Sequence, residues 1–558
     1  MIRKLSPTEV PMTNQRTPPI DLPGEIIGSE SLPGVEAPRR GPVYGSKYAV
    51  ATDHPLASMA AINVLQRGGN AADAAIAASA VNVVVKPYAT QLGGDAFILV
   101  WRKKANSVEC MNAGGRAPLK ATLERFANGI PSFGAASSSV PGLVDAWLDL
   151  HRTYATLPLD LLLRPAIEYA RNGFPVSVRL HDAMRLAATF DGPESAELRR
   201  IYLQDGARPY AEGSTLRQPE LAQTLERIVE LVERDGFYGE ETGELIVQAM
   251  QEHGGLIGKD DLEKAAAHWH EPLRTAYAGV DVYEQAPPSQ GFILLEALNI
   301  AEQFPIADWG LQSPDAAHVL IEAMKLAFAD SRAYWADPLV QTVPAEELLS
   351  KEHARKRAQE IDLKRAGEPL PALLSSDTTE FVIGDDDYAI AFIQSVFAPW
   401  GSRFVVPGTG ILMNNRLSAF SIDPAHANVL APGKRTVHTL NTFMAVRDGE
   451  LVIGGGTPGA DFQVQSNLQT VIGKLAWGLD LQSAIDSPRW LALSGRHVAF
   501  ERRFDPALVE SLASRGHDVH LIAPWDTTVS RSQVIASRAE GGWGVASDVR
   551  GEGVGLAL

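Results

Sequence analysis

At 558 residues the chain is long enough for a large core and more than one lobe. Its 50 basic and 67 acidic residues give a net charge of −17, which argues against a general nucleic-acid surface. The single cysteine, Cys110, excludes an intramolecular disulfide, and no segment reaches the roughly 18–20 apolar residues of a membrane-spanning helix.

Residues 1–45 are polar and proline-rich and lack the apolar core of a secretory signal. They read as an extended arm, and the chain as cytoplasmic. A strand is expected over 48–52. Asp53 then caps a helix over 56–67, with Pro55 tolerated in its first turn and Gly68-Gly69 ending it. Asn70 and Asp73 open an alanine-rich helix over 71–85; small residues on every face let neighbours approach closely, so this helix is expected to be central. Gly93-Gly94-Asp95 is a tight turn into a strand over 96–101, paired with 107–113. The double glycine lacks the spacing of a phosphate loop. The glycine-rich loop 112–118 carries Arg116, suited either to a carboxylate or to a structural ion pair.

From 142 to about 360 the pattern is mainly helical, with helices expected at 159–171, 219–234, 241–253, 292–303 and 318–333 and strands at 273–277 and 280–284. After 377 the pattern turns to strands: 379–384 with 388–397, 442–447 with 450–454, and shorter pieces at 404–406, 410–413, 498–500 and 519–522. Helices fit 462–478 and 481–486. The sum is α+β, antiparallel sheets covered by helices. The 13 histidines are scattered without an HxxxH pair, and His268 and His270 lack a third ligand, so neither a metal nor a cofactor is expected. No GxSxG elbow appears. Locally, the run Ser375 to Ile383 reads only as a polar linker meeting a strand that begins with two threonines.

Several short motifs recur in a fixed order: His54-Pro55-Leu56-Ala57-Ser58, Gly68 to Ala74, Gly93-Gly94-Asp95, Arg116-Ala117-Pro118, Val140-Pro141-Gly142, Pro287-Pro288-Ser289, Asp377-Thr378-Thr379, Pro407 to Gly410, Asn414-Asn415, Ala431 to Arg435, Gly456 to Gly459 and Ser487-Pro488-Arg489. Together they resemble the γ-glutamyltranspeptidase family of N-terminal nucleophile hydrolases, from about residue 48 to the C-terminus. The resemblance implies a four-layer αββα sandwich and a precursor that cuts itself between Asp377 and Thr378. That cut would leave a large segment (46–377) and a small one (378–558) associated in one unit. Thr378 would then be the nucleophile, with its own α-amine as base; an α-amine titrates near pH 8, close to neutral operation. Ser395 matches a family threonine that hydrogen-bonds the nucleophile. Gly459 and Ala460 match two glycines whose N–H groups form the oxyanion hole, a role alanine keeps unless its φ is positive.

The donor-binding positions depart from the family. Its carboxylate-binding arginine falls at Gly114, with Arg116 two residues on. Its amine-contacting residues fall at Phe397, Arg416 and Ala419, and its two carboxylate-holding serines at His438 and Thr439. Glu380 stands where the family has histidine or an aromatic. The segment between Phe420 and Lys434 is short, which implies an open cleft and water as acceptor. The implied activity is hydrolysis of a small-molecule amide whose acyl group bears a carboxylate and no α-amine, bound through Arg116 or Arg416, Phe397, His438 and Thr439. A γ-glutamyl transferase with a rearranged donor site and an unprocessed binding protein are the rival readings. No nucleic acid or membrane partner is expected, and a higher oligomer is compatible with the sequence.

Overall fold

Fourteen strands, taken in chain order, build the centre of the molecule. They are β1 (Val43–Gly45), β2 (Ala49–Thr52), β3 (Asp95–Arg102), β4 (Ser107–Ala113), β5 (His268–His270), β6 (Leu273–Tyr277), β7 (Val280–Glu284), β8 (Thr379–Gly384), β9 (Tyr388–Ser395), β10 (Phe443–Arg447), β11 (Glu450–Gly456), β12 (Gln533–Ser537), β13 (Trp543–Ser547) and β14 (Val554–Ala557). The computed structural model describes residues 40–231, 234–239, 241–367 and 378–558. Within it Gly41–Leu558 pack as one body. Of the expected arm, residues 1–39 lie outside the described residues. Its end is not an arm: Val43–Gly45 is a strand paired with β13.

The strands form two antiparallel sheets, in the orders β14-β2-β8-β9-β3-β4-β5 and β1-β13-β12-β11-β10-β7-β6. Three apolar layers hold them. Leu99, Trp101, Val382 and Ala391 of the first sheet meet Met444, Leu451, Ile535 and Val545 of the second. The opposite face of the first sheet (Ile98, Phe381, Phe392) packs on helices α1 (Pro55–Gln66) and α2 (Ala71–Val85). The outer face of the second (Val282, Phe443, Ile453) packs on α3 (Gly291–Ala301), α4 (Pro314–Tyr334) and α5 (Phe462–Leu475). Helix, sheet, sheet and helix therefore stack in four layers, the αββα arrangement expected.

Helix α2 is buried along its whole length. Asn70 and Asp73 close a capping box at its start, and Ser79 near its middle donates to Gln394 of β9. Helix α1 is capped differently from the expectation. His54, not Asp53, accepts the Leu56 N–H, because Asp53 is turned inward to an ion pair with Lys86. Strands from before and after residue 377 alternate in both sheets: β8 and β9 lie between β2 and β3, and β10 lies beside β7. Among the described residues no helix is long and apolar enough to cross a membrane.

Candidate active site

Thr378 immediately precedes β8. The ladders pair Thr379 with Gln394, Ser395 with Asp95, and Ala96 with Ala113. One further step sets Thr378 opposite Ser395 and Asp95 opposite Gly114, so the four residues form a row across the sheet. Directly opposite side chains share a face and alternate along each strand. Val382, Ala391 and Leu99, in phase with the row, lie in the layer between the sheets, so Thr378, Ser395 and Asp95 point into that gap. Two glycines permit the row. A Cβ on Gly94 would stand 2.5 Å from the Ser395 carbonyl oxygen, and one on Gly93 would stand 2.4 Å from that of Leu412. Close backbone approach, not anion binding, is their role.

Ser395 Oγ accepts the Phe397 N–H at 2.8 Å. Phe397 takes φ 79°, a strained conformation for a large side chain. The centre of the constellation is Asp95. Its Oδ1 accepts the Gly115 N–H at 2.8 Å, and its Oδ2 lies 3.1 Å from Arg416 Nε and 3.2 Å from His438 Nε2. His438 Nδ1 accepts the Leu440 N–H, which assigns the ring proton to Nε2. Burial, reinforced by Arg416, lowers the His438 pKa to about 4, so the ring is a neutral donor at pH 7. Burial alone would raise the Asp95 carboxyl; His438, Arg416 and the Gly115 N–H outweigh it and hold the group below the ordinary range.

Arg416 is wholly buried, and burial lowers its pKa to about 10 against the pull of Asp95. It remains charged at neutral pH. Its guanidinium lies 4.3 Å over the Phe397 ring. Among the described residues neither Nη1 nor Nη2 has a hydrogen-bond partner. Buried donors of this kind are costly unless something fills them.

The loop after Gly456 leads into α5. A Cβ on Gly456 would stand 3.2 Å from Glu380 Cγ, so the loop begins against the residue two places beyond Thr378 on the same face. Gly459 has φ 132° and Ala460 φ 51°, so Ala460 takes the positive φ under which alanine was not expected to keep the oxyanion-hole role, and this counts against that candidate. The backbone is held there by Gln290, whose Nε2 donates to the carbonyls of Ala460 and Thr439, and by Phe462 and Gln463, whose N–H groups bond the Gly459 and Ala460 carbonyls. The two residues thus precede the N-terminus of a 14-residue helix, where partial positive charge favours an anion. Thr439 is buried, and its Oγ1 has no hydrogen-bond partner among the described residues. Glu380 is buried as well. Its carboxyl oxygens lack a partner of standard geometry; burial and then Asp53 raise its pKa far above the ordinary value, the Gln533 backbone offering only partial relief. Its environment therefore favours the protonated form.

Of the sequence-derived residues, Phe397, Arg416 and His438 gather on Asp95 in the row of Thr378 and Ser395, while Thr439 and Ala460 are linked through Gln290. Arg116 stands apart. Its Nη1 donates to the Gly433 carbonyl at 3.1 Å, and among the described residues it makes no ion pair, contrary to that expectation. It lines a cavity of ≈ 200 Å³ with Gly114, Gly115, Lys264 and Arg435. Asp377 lies outside the described residues. Asp95 itself was missed as a site residue; its signal was an acid opening an otherwise apolar strand. His270 Nε2 lies against Cys110 Sγ and its Nδ1 against the Glu271 carbonyl, a structural setting.

The γ-glutamyltranspeptidase family model matches residues 57–558. The chain belongs to the γ-glutamyltranspeptidase family. It is 36% identical over 530 residues to the glutathione hydrolase-like YwrD proenzyme of Bacillus subtilis, covering 92% of this chain and 99% of that one. It is 34% identical to the oxamate amidohydrolase proenzyme of Klebsiella pneumoniae, covering 90% and 96%. Among solved structures, cephalosporin acylase from Bacillus halodurans superposes with a TM-score of 0.87 at 34% identity, covering 96% and 99%. The fold is that of N-terminal nucleophile hydrolases, and the chain is an amide hydrolase or acyltransferase of the γ-glutamyltranspeptidase family.

Proposed function

We propose that this chain is a precursor cut between Asp377 and Thr378, leaving segments 46–377 and 378–558 associated. The freed Thr378 hydrolyses amides whose acyl group carries a carboxylate and no α-amine. The observation that carries the substrate class is Arg416. Its Nε is anchored on Asp95, its face rests on Phe397, and among the described residues nothing fills its two buried Nη donors. A planar carboxylate matches that fork. An α-ammonium finds no such partner: Ala419 offers none, and Asp95 is engaged by Arg416, His438 and Gly115.

In this reading the Thr378 hydroxyl adds to the amide carbonyl and passes its proton to its own α-amine. The carbonyl oxygen takes the negative charge, facing the Gly459 N–H ahead of α5. The C–N bond breaks, and the amine leaves with the proton. Water then adds to the acyl ester and loses a proton to the α-amine; the Thr378 oxygen departs, recovers that proton, and the free acid leaves. Water as acceptor is supported by the short segment 420–434, which closes on itself through Ser421 and Val429 and through Lys434 Nζ bonded to the Ala427 and Val429 carbonyls.

The test is a denaturing gel with intact mass for the wild type and Thr378→Ala, followed by glutaryl and γ-glutamyl anilides. Two fragments meeting at 377/378 in the wild type alone are expected, with the glutaryl amide preferred. A wild-type chain still intact after long incubation overturns the nucleophile. Comparable turnover of the γ-glutamyl anilide overturns the substrate class.

A further inference from the structure

Three clusters of metal-ligating side chains occur among the described residues. Two already contain a cation. In His318–Glu322–His517, the Lys325 ammonium lies 2.9 Å from Glu322. In Glu296–Asp330–His353, the Arg357 guanidinium is bonded to Asp330. The third is different.

A small sheet outside the two central ones consists of strands Trp490–Ala492, His497–Glu501 and Asp518–Ile522. The last two run parallel, with His497 opposite Asp518 and Ala499 opposite His520. Residues 518 and 520 share a face by alternation, and the register adds His497 to it. Their donor atoms converge: His497 Nδ1 lies 2.6 Å from Asp518 Oδ2 and 2.9 Å from His520 Nε2, and His520 Nε2 lies 3.5 Å from Asp518 Oδ1.

We propose that His497, Asp518 and His520 form a binding site for a late first-row divalent cation, with zinc(II) as the reference ion. Two imidazole nitrogens and one carboxylate suit zinc, copper or nickel and not magnesium or calcium. Tetrahedral zinc with bonds of about 2.0–2.1 Å sets neighbouring ligand atoms roughly 3.3 Å apart. The widest of the observed separations already fits, and the closer two need to open by about 0.4 and about 0.7 Å. The side chains can turn that far, because all three are about half exposed. That exposure also leaves the fourth position to water. The bound ion would tie the outer strand, Asp518–Ile522, to its neighbour His497–Glu501. The site is independent of the Thr378 chemistry.

The test uses tag-free full-length protein dialysed against a chelator. Zinc, and separately magnesium, is titrated calorimetrically, and the melting temperature is recorded with each. Asp518→Asn, His497→Gln and His520→Gln are compared, with circular dichroism confirming that these surface variants fold. One zinc equivalent at micromolar affinity is expected, with a raised melting temperature, no response to magnesium, and a loss of about tenfold or more in affinity in each variant. Absence of zinc binding by the wild type, or unchanged binding in the variants, overturns the proposal.

Discussion

Arg416 can be separated from its ion-pair role by replacement with lysine. Arg416→Lys keeps a charge beside Asp95 and removes the planar fork. Turnover of a glutaryl amide should fall roughly ten- to a hundredfold, the worth of one or two charge-assisted hydrogen bonds at about 1.5–3 kcal/mol. The appearance of two fragments on a gel should be unaffected. Unchanged kcat/KM would show that the carboxylate docks elsewhere, with Arg116 next to test. Glu380 makes a pH prediction. The folded state holds its proton while the unfolded state releases it near pH 4.5. This group therefore lowers stability progressively as pH rises above about 4.5, until the folded-state pKa is passed. Glu380→Gln should leave stability little changed at pH 4 and raise it towards pH 8, as read by denaturant midpoints. A difference that did not grow with pH would contradict the buried neutral acid. Legibility at this scale was uneven. Thr378, Ser395, Arg416 and His438 were singled out through the family resemblance. Their gathering on Asp95 was not, because it depends on strand register and on segments roughly 300 residues apart. Nor does any sequence rule give the φ of Ala460.

At the scale of elements, α2 shows what local chemistry dictates. Asn70 Oδ1 accepts the Ala72 and Asp73 N–H groups, and Asp73 returns a bond to the Asn70 N–H. An alanine run follows with no interior breaker, and the helix occupies the span expected, 71–85. Asn70→Ala should cost about 1 kcal/mol through the lost cap, and more through its bond to the Tyr154 carbonyl; thermal unfolding measures the drop, and an unchanged midpoint would remove the cap from the account. The C-terminal strands β12 to β14 were harder to see. β13 and β14 are interrupted by Gly544 and Gly555, which weaken the period-two signal. The histidine–aspartate face was equally hidden, since no spacing in the chain reveals a parallel pairing of 497–501 with 518–522.

For the molecule as a whole, strands from either side of residue 377 alternate within both sheets. The two fragments of a cut chain should therefore co-elute as one particle in native size-exclusion chromatography and part only in denaturant. Separate native peaks would contradict the shared sheets. The α+β class was legible from the pattern of helices and strands, and the four layers from the resemblance carried by the ordered motifs. The order of strands was not, because neighbours such as β8 and β2 are brought together by long-range packing that leaves no mark on local periodicity.

The same alternation makes the moment of cutting an irreversible commitment. An intact chain closes its sheets as a unimolecular event, whatever the dilution. Once nicked, each fragment lacks the strands that complete its own sheets, and renewal after melting requires two molecules to meet. Recovery would then slow on dilution and compete with aggregation through unpaired strand edges. A matured enzyme of this build persists by resisting unfolding and not by repairing it.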